Sequence, residues 1–210
     1  MLQLVTSHST NITLFRNMGS VLGRVSEETP KFVLVKKTDS YELREYQKSI
    51  LVFVYTRPNG FLVFVAETRD QKDKDAFWKL AGFIGVASVP QNKARESIAM
   101  TAPVFSIKED SKAEIMRFLV PSKYTSIEQI PVPEDSQVSI REVPEHTVAV
   151  LTYSGLTDLN SCQTQVDQLF QALQKEGIKA EGSWTLCRYN SPFTLPWYRT
   201  NEIHIPVQLD

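Results

Sequence analysis

The chain carries one pattern twice. Tyr41-Glu42-Leu43-Arg44-Glu45-Tyr46 is echoed by Val138-Ser139-Ile140-Arg141-Glu142-Val143. Each copy leads into a β-rich run, residues 50–56 in the first half and 147–153 in the second. A helical pattern follows in each half, then two more strand-like runs. These are 97–107 with 114–120, and 182–189 with 201–207. The order ββαββ therefore occurs twice, over about 41–120 and 138–207, and a repeat of this size limits the fold more than any other feature. Residues 121–137, with Pro131 and Pro133, read as an exposed connector.

Periodicity places the helices. Phe77, Leu80, Ala81 and Ile84 follow i, i+3, i+4, i+7. In the second half Cys162, Val166, Leu169, Phe170 and Leu173 share one face. Thr157 or Asp158 can cap that helix, and Gly177 can end it. Each helix has one apolar stripe to bury, and eight strands with open edges invite aggregation. The expected fold is α+β: a distorted antiparallel β-barrel built from two pseudo-symmetric ββαββ repeats, with two flanking helices, forming a single domain over 19–210. Residues 51–56 and 61–68 flank Asn59-Gly60, which reads as a hairpin without a counterpart in the second half.

Several functional classes are set aside early. Net charge is −1, which favours neither a nucleic-acid nor an acidic-lipid surface. No apolar run approaches the roughly 18–20 residues of a membrane span. Cys162 and Cys187 form no disulfide framework, no zinc spacing and no CxxCH haem attachment, and a reducing compartment suits them. Residues 1–18 read as a disordered extension or a weak transit peptide, since Arg16 and several Ser and Thr occur there without an acidic residue. The expected location is cytoplasmic, with the chloroplast as the alternative.

Four blocks, taken in order, carry a resemblance to a known family. They are Glu28-Thr29-Pro30, the Tyr41–Tyr46 run, Ile98-Ala99-Met100-Thr101-Ala102-Pro103-Val104, and Arg188-Tyr189-Asn190-Ser191-Pro192-Phe193 leading into Arg199-Thr200-Asn201-Glu202. Together they resemble the SOUL haem-binding family, most closely its plant and algal members. The resemblance implies a two-repeat barrel that binds haem or another tetrapyrrole reversibly and without covalent attachment, for transport, buffering or sequestration, and without catalysis. It associates the ligand with the first helix and the loop before the last strand. On that basis the expected haem slot is lined by Phe77, Trp78, Ala81 and Ile84, and Tyr189 or Met100 could coordinate the iron, although such a methionine is also ordinary core filling. Phe193 and Trp197 would cover the ring, and Lys74 and Arg199 would pair with the propionates. Apolar stripes at helical spacing are also what ordinary core looks like.

The residues offer no strong iron ligand. A first-strand histidine linked to haem in some family members is matched here by Glu45. His146, after Pro144-Glu145, reads as solvated in a turn, and His204 alternates with Ile203 and Ile205 and so faces away from them. Binding without a histidine ligand is the expectation. Two rival readings remain open. One is a small-molecule hydrolase on a related barrel, using Glu202 and Tyr189. The other is a protein-interaction module that uses the Asn59-Gly60 hairpin.

Overall fold

The computed structural model describes residues 22–56, 70–86, 88–109 and 113–209. Among the described residues there are ten strands: β1 (Phe32–Lys37), β2 (Glu42–Tyr46), β3 (Ser49–Thr56), β4 (Val104–Glu109), β5 (Ala113–Leu119), β6 (Val138–Val143), β7 (His146–Tyr153), β8 (Lys179–Ala180), β9 (Thr185–Arg188) and β10 (Asn201–Gln208). Helices α1 (Asp70–Ile84) and α2 (Gln163–Lys175) follow the second strand of each repeat. The strands form one antiparallel sheet in the order β1-β2-β7-β10-β9-β4-β5-β3-β6, with β8 beside β10.

The strand order has the expected pseudo-two-fold character. Within the first half the pairing runs β3–β5–β4, and within the second it runs β7–β10–β9, so second, fourth and third strands lie in the same order. The opening strands are exchanged: β2 pairs with β7 of the other half, and β6 pairs with β3. Third strands β4 and β9 join the halves again. Residues 47–48 alone link β2 to β3, and 144–145 alone link β6 to β7, across the two arms of the sheet. Three Cα steps reach at most about 11 Å. These short links therefore force the arms together, and the sheet curls into a distorted barrel.

Alternation along the strands assigns its two faces. On the outer face Leu43, Ala149, Ile203, Ile205 and Val207 pack with Val166, Leu169 and Leu173 of α2. Val52, Met116, Phe118 and Val138 pack with Leu80, Phe83 and Ile84 of α1. Leu169 is fully buried, and truncation of such a residue to alanine costs about 2–5 kcal/mol. Gly177, at φ +69°, ends the α2 segment in the left-handed conformation that glycine tolerates best. The inner face is the concave one and carries the remaining alternate side chains.

Several local expectations are corrected. Residues 97–103 belong to no strand; β4 starts at Val104, after Asn92 has fixed this stretch through hydrogen bonds to the Glu96 backbone and the Phe83 carbonyl. Asp158 bonds the amides of Asn160 and Ser161, so it organises the turn before α2 and does not cap Gln163 directly. The connector is not wholly exposed: a short 3-10 turn at Ile127–Gln129 tucks Ile130 into the α1 core. An additional strand, β1, lies outside the repeat at the edge of the sheet. The Asn59-Gly60 hairpin and residues 1–18 lie outside the described residues.

Candidate functional site

Two strands supply a buried polar cluster on the inner face. Glu202 and His204 sit two residues apart on β10 and so project to the same side, as do Arg44 and Tyr46 on β2. Glu202 is only 4% exposed. Its Oε1 accepts from Arg44 Nη1 at 3.0 Å and Thr152 Oγ1 at 3.3 Å. Its Oε2 accepts from the Tyr189 hydroxyl at 2.7 Å and lies 2.8 Å from His204 Nε2. Arg44 also pairs with Glu42 at 2.7 Å. A buried charge requires this degree of pairing to stay folded inside.

The electrostatics follow from those contacts. Burial alone would raise the Glu202 carboxyl, but the His204 hydrogen bond and charge, Arg44 and Tyr189 outweigh it and hold the carboxyl at about 2. Burial, reinforced by the neighbouring Glu202 charge, drives the Tyr189 phenol far above the ordinary tyrosine range. Burial also drives the Cys187 thiol well up. The cluster therefore holds an ionised carboxylate and a neutral phenol across the whole physiological range.

Above this cluster lies an open cleft of about 930 Å³ on the concave face. Leu51, Phe105, Ile107, Leu119 and Val148 give it apolar walls. Tyr46, His146 and His204 line one side, and exposed Lys31 and Lys48 lie where it meets solvent. Size and lining are those of a small-molecule site. His204 touches both the cleft and the polar cluster, whereas Glu202 and Tyr189 lie behind the wall.

The residues expected to hold haem are placed elsewhere. Ala81 is 0% and Ile84 2% exposed, and Ile84 belongs to the core between α1 and the sheet. They therefore offer no slot surface, because the sheet itself fills the stripe that a ligand was expected to fill. Phe77 is half-buried against Phe118, at 5.6 Å between ring centroids, and Met100 packs against the same core. Trp78 is 57% exposed. Of Lys74 the structure describes the helical backbone alone. Phe193 and Trp197 are exposed at 82% and 65%. Arg199 donates to the carbonyls of Thr194 and Pro192 and so braces the loop that carries them. Tyr189 is committed to Glu202. Glu45 alternates with Arg44 and so lies on the opposite face from the cleft.

The Tyr41–Tyr46 block forms β2, and the other three sequence blocks prove to be clamps of the fold. The Glu28 carbonyl accepts from the Ala102 amide, and its carboxylate from the Ser122 amide. Thr101 donates to the Leu119 carbonyl. Asn190 bridges the Gly23 carbonyl and the Thr200 amide, and Asn201 donates to the Gly155 carbonyl. A Cβ on Gly23, at φ +81°, would meet the Tyr198 carbonyl oxygen at 2.2 Å, so the N-terminal segment docks there only as glycine. Sequence reasoning missed Arg44, Tyr46 and His146 as inner-face residues. Alternation in β2 and β10 was the available signal, but the pairing that brings those strands together was not. Among the described residues no group of three or more His, Cys, Asp or Glu side chains is placed to hold a metal ion, and no helix is long and apolar enough to cross a membrane.

Comparison with known proteins gives the geometry its context. The chain is 29% identical over 169 residues to heme-binding protein 2 of Mus musculus, covering 78% of this chain and 76% of that protein. Among solved structures it is similar in fold to the EcmrR C-terminal domain, with a TM-score of 0.54, 16% identity, and coverage of 81% of this chain and 99% of that one. A hydrolase from Listeria innocua aligns with a TM-score of 0.50 at 10% identity, over 87% of this chain and 93% of that one. Identities this low speak for the fold alone. The profile of the SOUL heme-binding protein family matches residues 27–206, nearly the whole described chain, and the protein belongs to that family.

Proposed function

We propose that this protein binds haem or a related tetrapyrrole reversibly and without covalent attachment, in the inner-face cleft, and that it does so for transport, buffering or sequestration and not for catalysis. The observation that carries the reading is the cleft itself: apolar walls, aromatic and imidazole side chains on one side, and lysines at the mouth. A porphyrin needs two apolar faces covered and its propionates met by cations or water. Leu51, Ile107, Leu119 and Val148 suit the ring; Lys31, and Lys48 on leaving its exposed 2.8 Å pair with Glu142, suit the propionates. Each 100 Å² of ring taken from water contributes about 2.5 kcal/mol, against association costs of about 4–15 kcal/mol, so modest and reversible binding is the expected regime. The family membership and the resemblance to a mouse heme-binding protein point to the same ligand class.

The polar cluster argues against hydrolysis. A carboxyl held at about 2 has little affinity for a proton, which makes Glu202 a poor general base. Tyr189 has no base free to take its proton, because its partner already accepts three other hydrogen bonds. A second ligand position, on the Phe193–Trp197 loop, is favoured by the exposed rings of Phe193 and Trp197.

Haemin titration followed at the Soret band separates these positions. Ser49→Trp places bulk in the cleft from a half-buried position at the start of β3. It is expected to weaken binding about tenfold or more, a loss of roughly 1.4 kcal/mol, while Phe193→Ala with Trp197→Ala changes it less than about twofold. The reverse pattern would move the macrocycle to the loop. No Soret change with the wild-type chain would refute haem binding.

A further inference from the structure

Two histidines share the inner face, and the fold commits them differently. His204 is buried and bonded through Nε2 to Glu202 Oε2 at 2.8 Å, so that nitrogen is already spoken for. His146 opens β7 immediately after the two-residue link 144–145 that crosses from one arm of the sheet to the other. Its Nδ1 lies 2.8 Å from the Pro144 carbonyl oxygen. A carbonyl only accepts, so Nδ1 donates, and in the neutral ring the lone pair resides on Nε2. A donor bond from one ring nitrogen to a backbone carbonyl is the support that metal-ligating histidines characteristically have, because it fixes both tautomer and ring orientation.

The ring is also held from its face. Tyr46 stacks on His146 with centroids 5.9 Å apart and planes at 20°. Tyr46 is itself buried, with its hydroxyl within 3.4 Å of Arg44 Nη1, so the plate behind the imidazole is fixed by the polar cluster. His146 lines the cleft beside Val148 and is only half-buried. It thus combines access, a set tautomer and a braced orientation.

We infer that His146 is the protein ligand to the iron of a haem bound in the inner-face cleft. This rests on the reading that the cleft takes the macrocycle, and it replaces the expectation of binding without a histidine. Iron is what distinguishes the two claims, so the test compares haemin with metal-free protoporphyrin IX. Wild-type protein reconstituted with haemin and reduced should show an iron–histidine stretching band in its resonance Raman spectrum. That band should shift when the protein contains 15N-labelled histidine.

His146→Ala and His146→Gln should both lose the band. They should bind haemin roughly ten- to a hundredfold more weakly, yet bind protoporphyrin IX within about twofold of wild type. Retained protoporphyrin binding also shows that the variants fold. Imidazole added to His146→Gly should restore a nitrogen-ligated spectrum. A wild-type spectrum without the band, or a band that survives both substitutions, overturns the assignment while leaving the cleft reading intact. If wild type binds neither haemin nor protoporphyrin IX, both fall together.

Discussion

Replacing Glu202 by glutamine removes one charge from a side chain that accepts four hydrogen bonds inside the barrel. The carboxylate and the Arg44 side chain are 6% and 8% exposed, so the change leaves a guanidinium facing an uncharged amide out of water. Removing one partner of a buried ion pair costs about 3–5 kcal/mol. Arg44 keeps its 2.7 Å contact with Glu42, which is a fifth exposed, so the lower end of that range applies. Linkage gives the same magnitude by a separate route. A carboxyl lowered from 4.5 to about 2 carries roughly 3 kcal/mol of pH-linked stability. Because the folded value is the lower one, that stability is fully present above the ordinary value of 4.5 and is lost as pH falls towards 2. Glu202→Gln cannot titrate there. Its deficit of about 3 kcal/mol at neutral pH should therefore narrow visibly by about pH 3. Urea unfolding, read from tryptophan emission with Trp184 packed beside α2 as a reporter, measures both quantities. A deficit below about 0.5 kcal/mol at neutral pH, or one that stays constant on acidification, would show that the cluster is not the electrostatic anchor described here.

Three further outcomes are expected. Arg44→Ala should cost about 3 kcal/mol or more, whereas Arg141→Ala, at the matching but exposed position of the second repeat, should stay within about 1 kcal/mol in the same unfolding assay. Cys162 and Cys187 are free and buried, and burial raises the Cys162 thiol to about 11. A thiol-reactive dye at mildly alkaline pH should therefore label neither in the folded protein and both after denaturation, and slow labelling of both without denaturant would contradict their burial. Ala81→Trp should lower the thermal midpoint with or without haemin present. Overpacking a fully buried position costs about 1–3 kcal/mol, and an unchanged midpoint would mean that α1 sits more loosely on the sheet than its buried stripe indicates.

Local chemistry wrote much of this protein into its sequence. The doubled ββαββ order, the stripes of both helices and the left-handed glycine after α2 all depend on neighbours a few residues apart. Periodicity and turn chemistry report such neighbours directly. The alternation of Ile203, His204 and Ile205 even told which way His204 faces. What remained out of reach depends on partners far along the chain. The exchange of β2 and β6 between the halves decides that Arg44 meets Glu202, 158 residues away, and nothing local encodes that pairing. The echo Leu43-Arg44-Glu45 and Ile140-Arg141-Glu142 looks equivalent in sequence. Yet one arginine is buried against a carboxylate and the other is exposed, because β10 offers Glu202 where the first half's β5 offers Ile115. The α1 stripe shows the same division most simply. Its spacing requires that Ala81 and Ile84 be covered, but a sheet and a porphyrin satisfy an apolar face equally well. Only the packing of α1 on the sheet decides between them, and it leaves the ligand-sized space on the other side, where His146 stands.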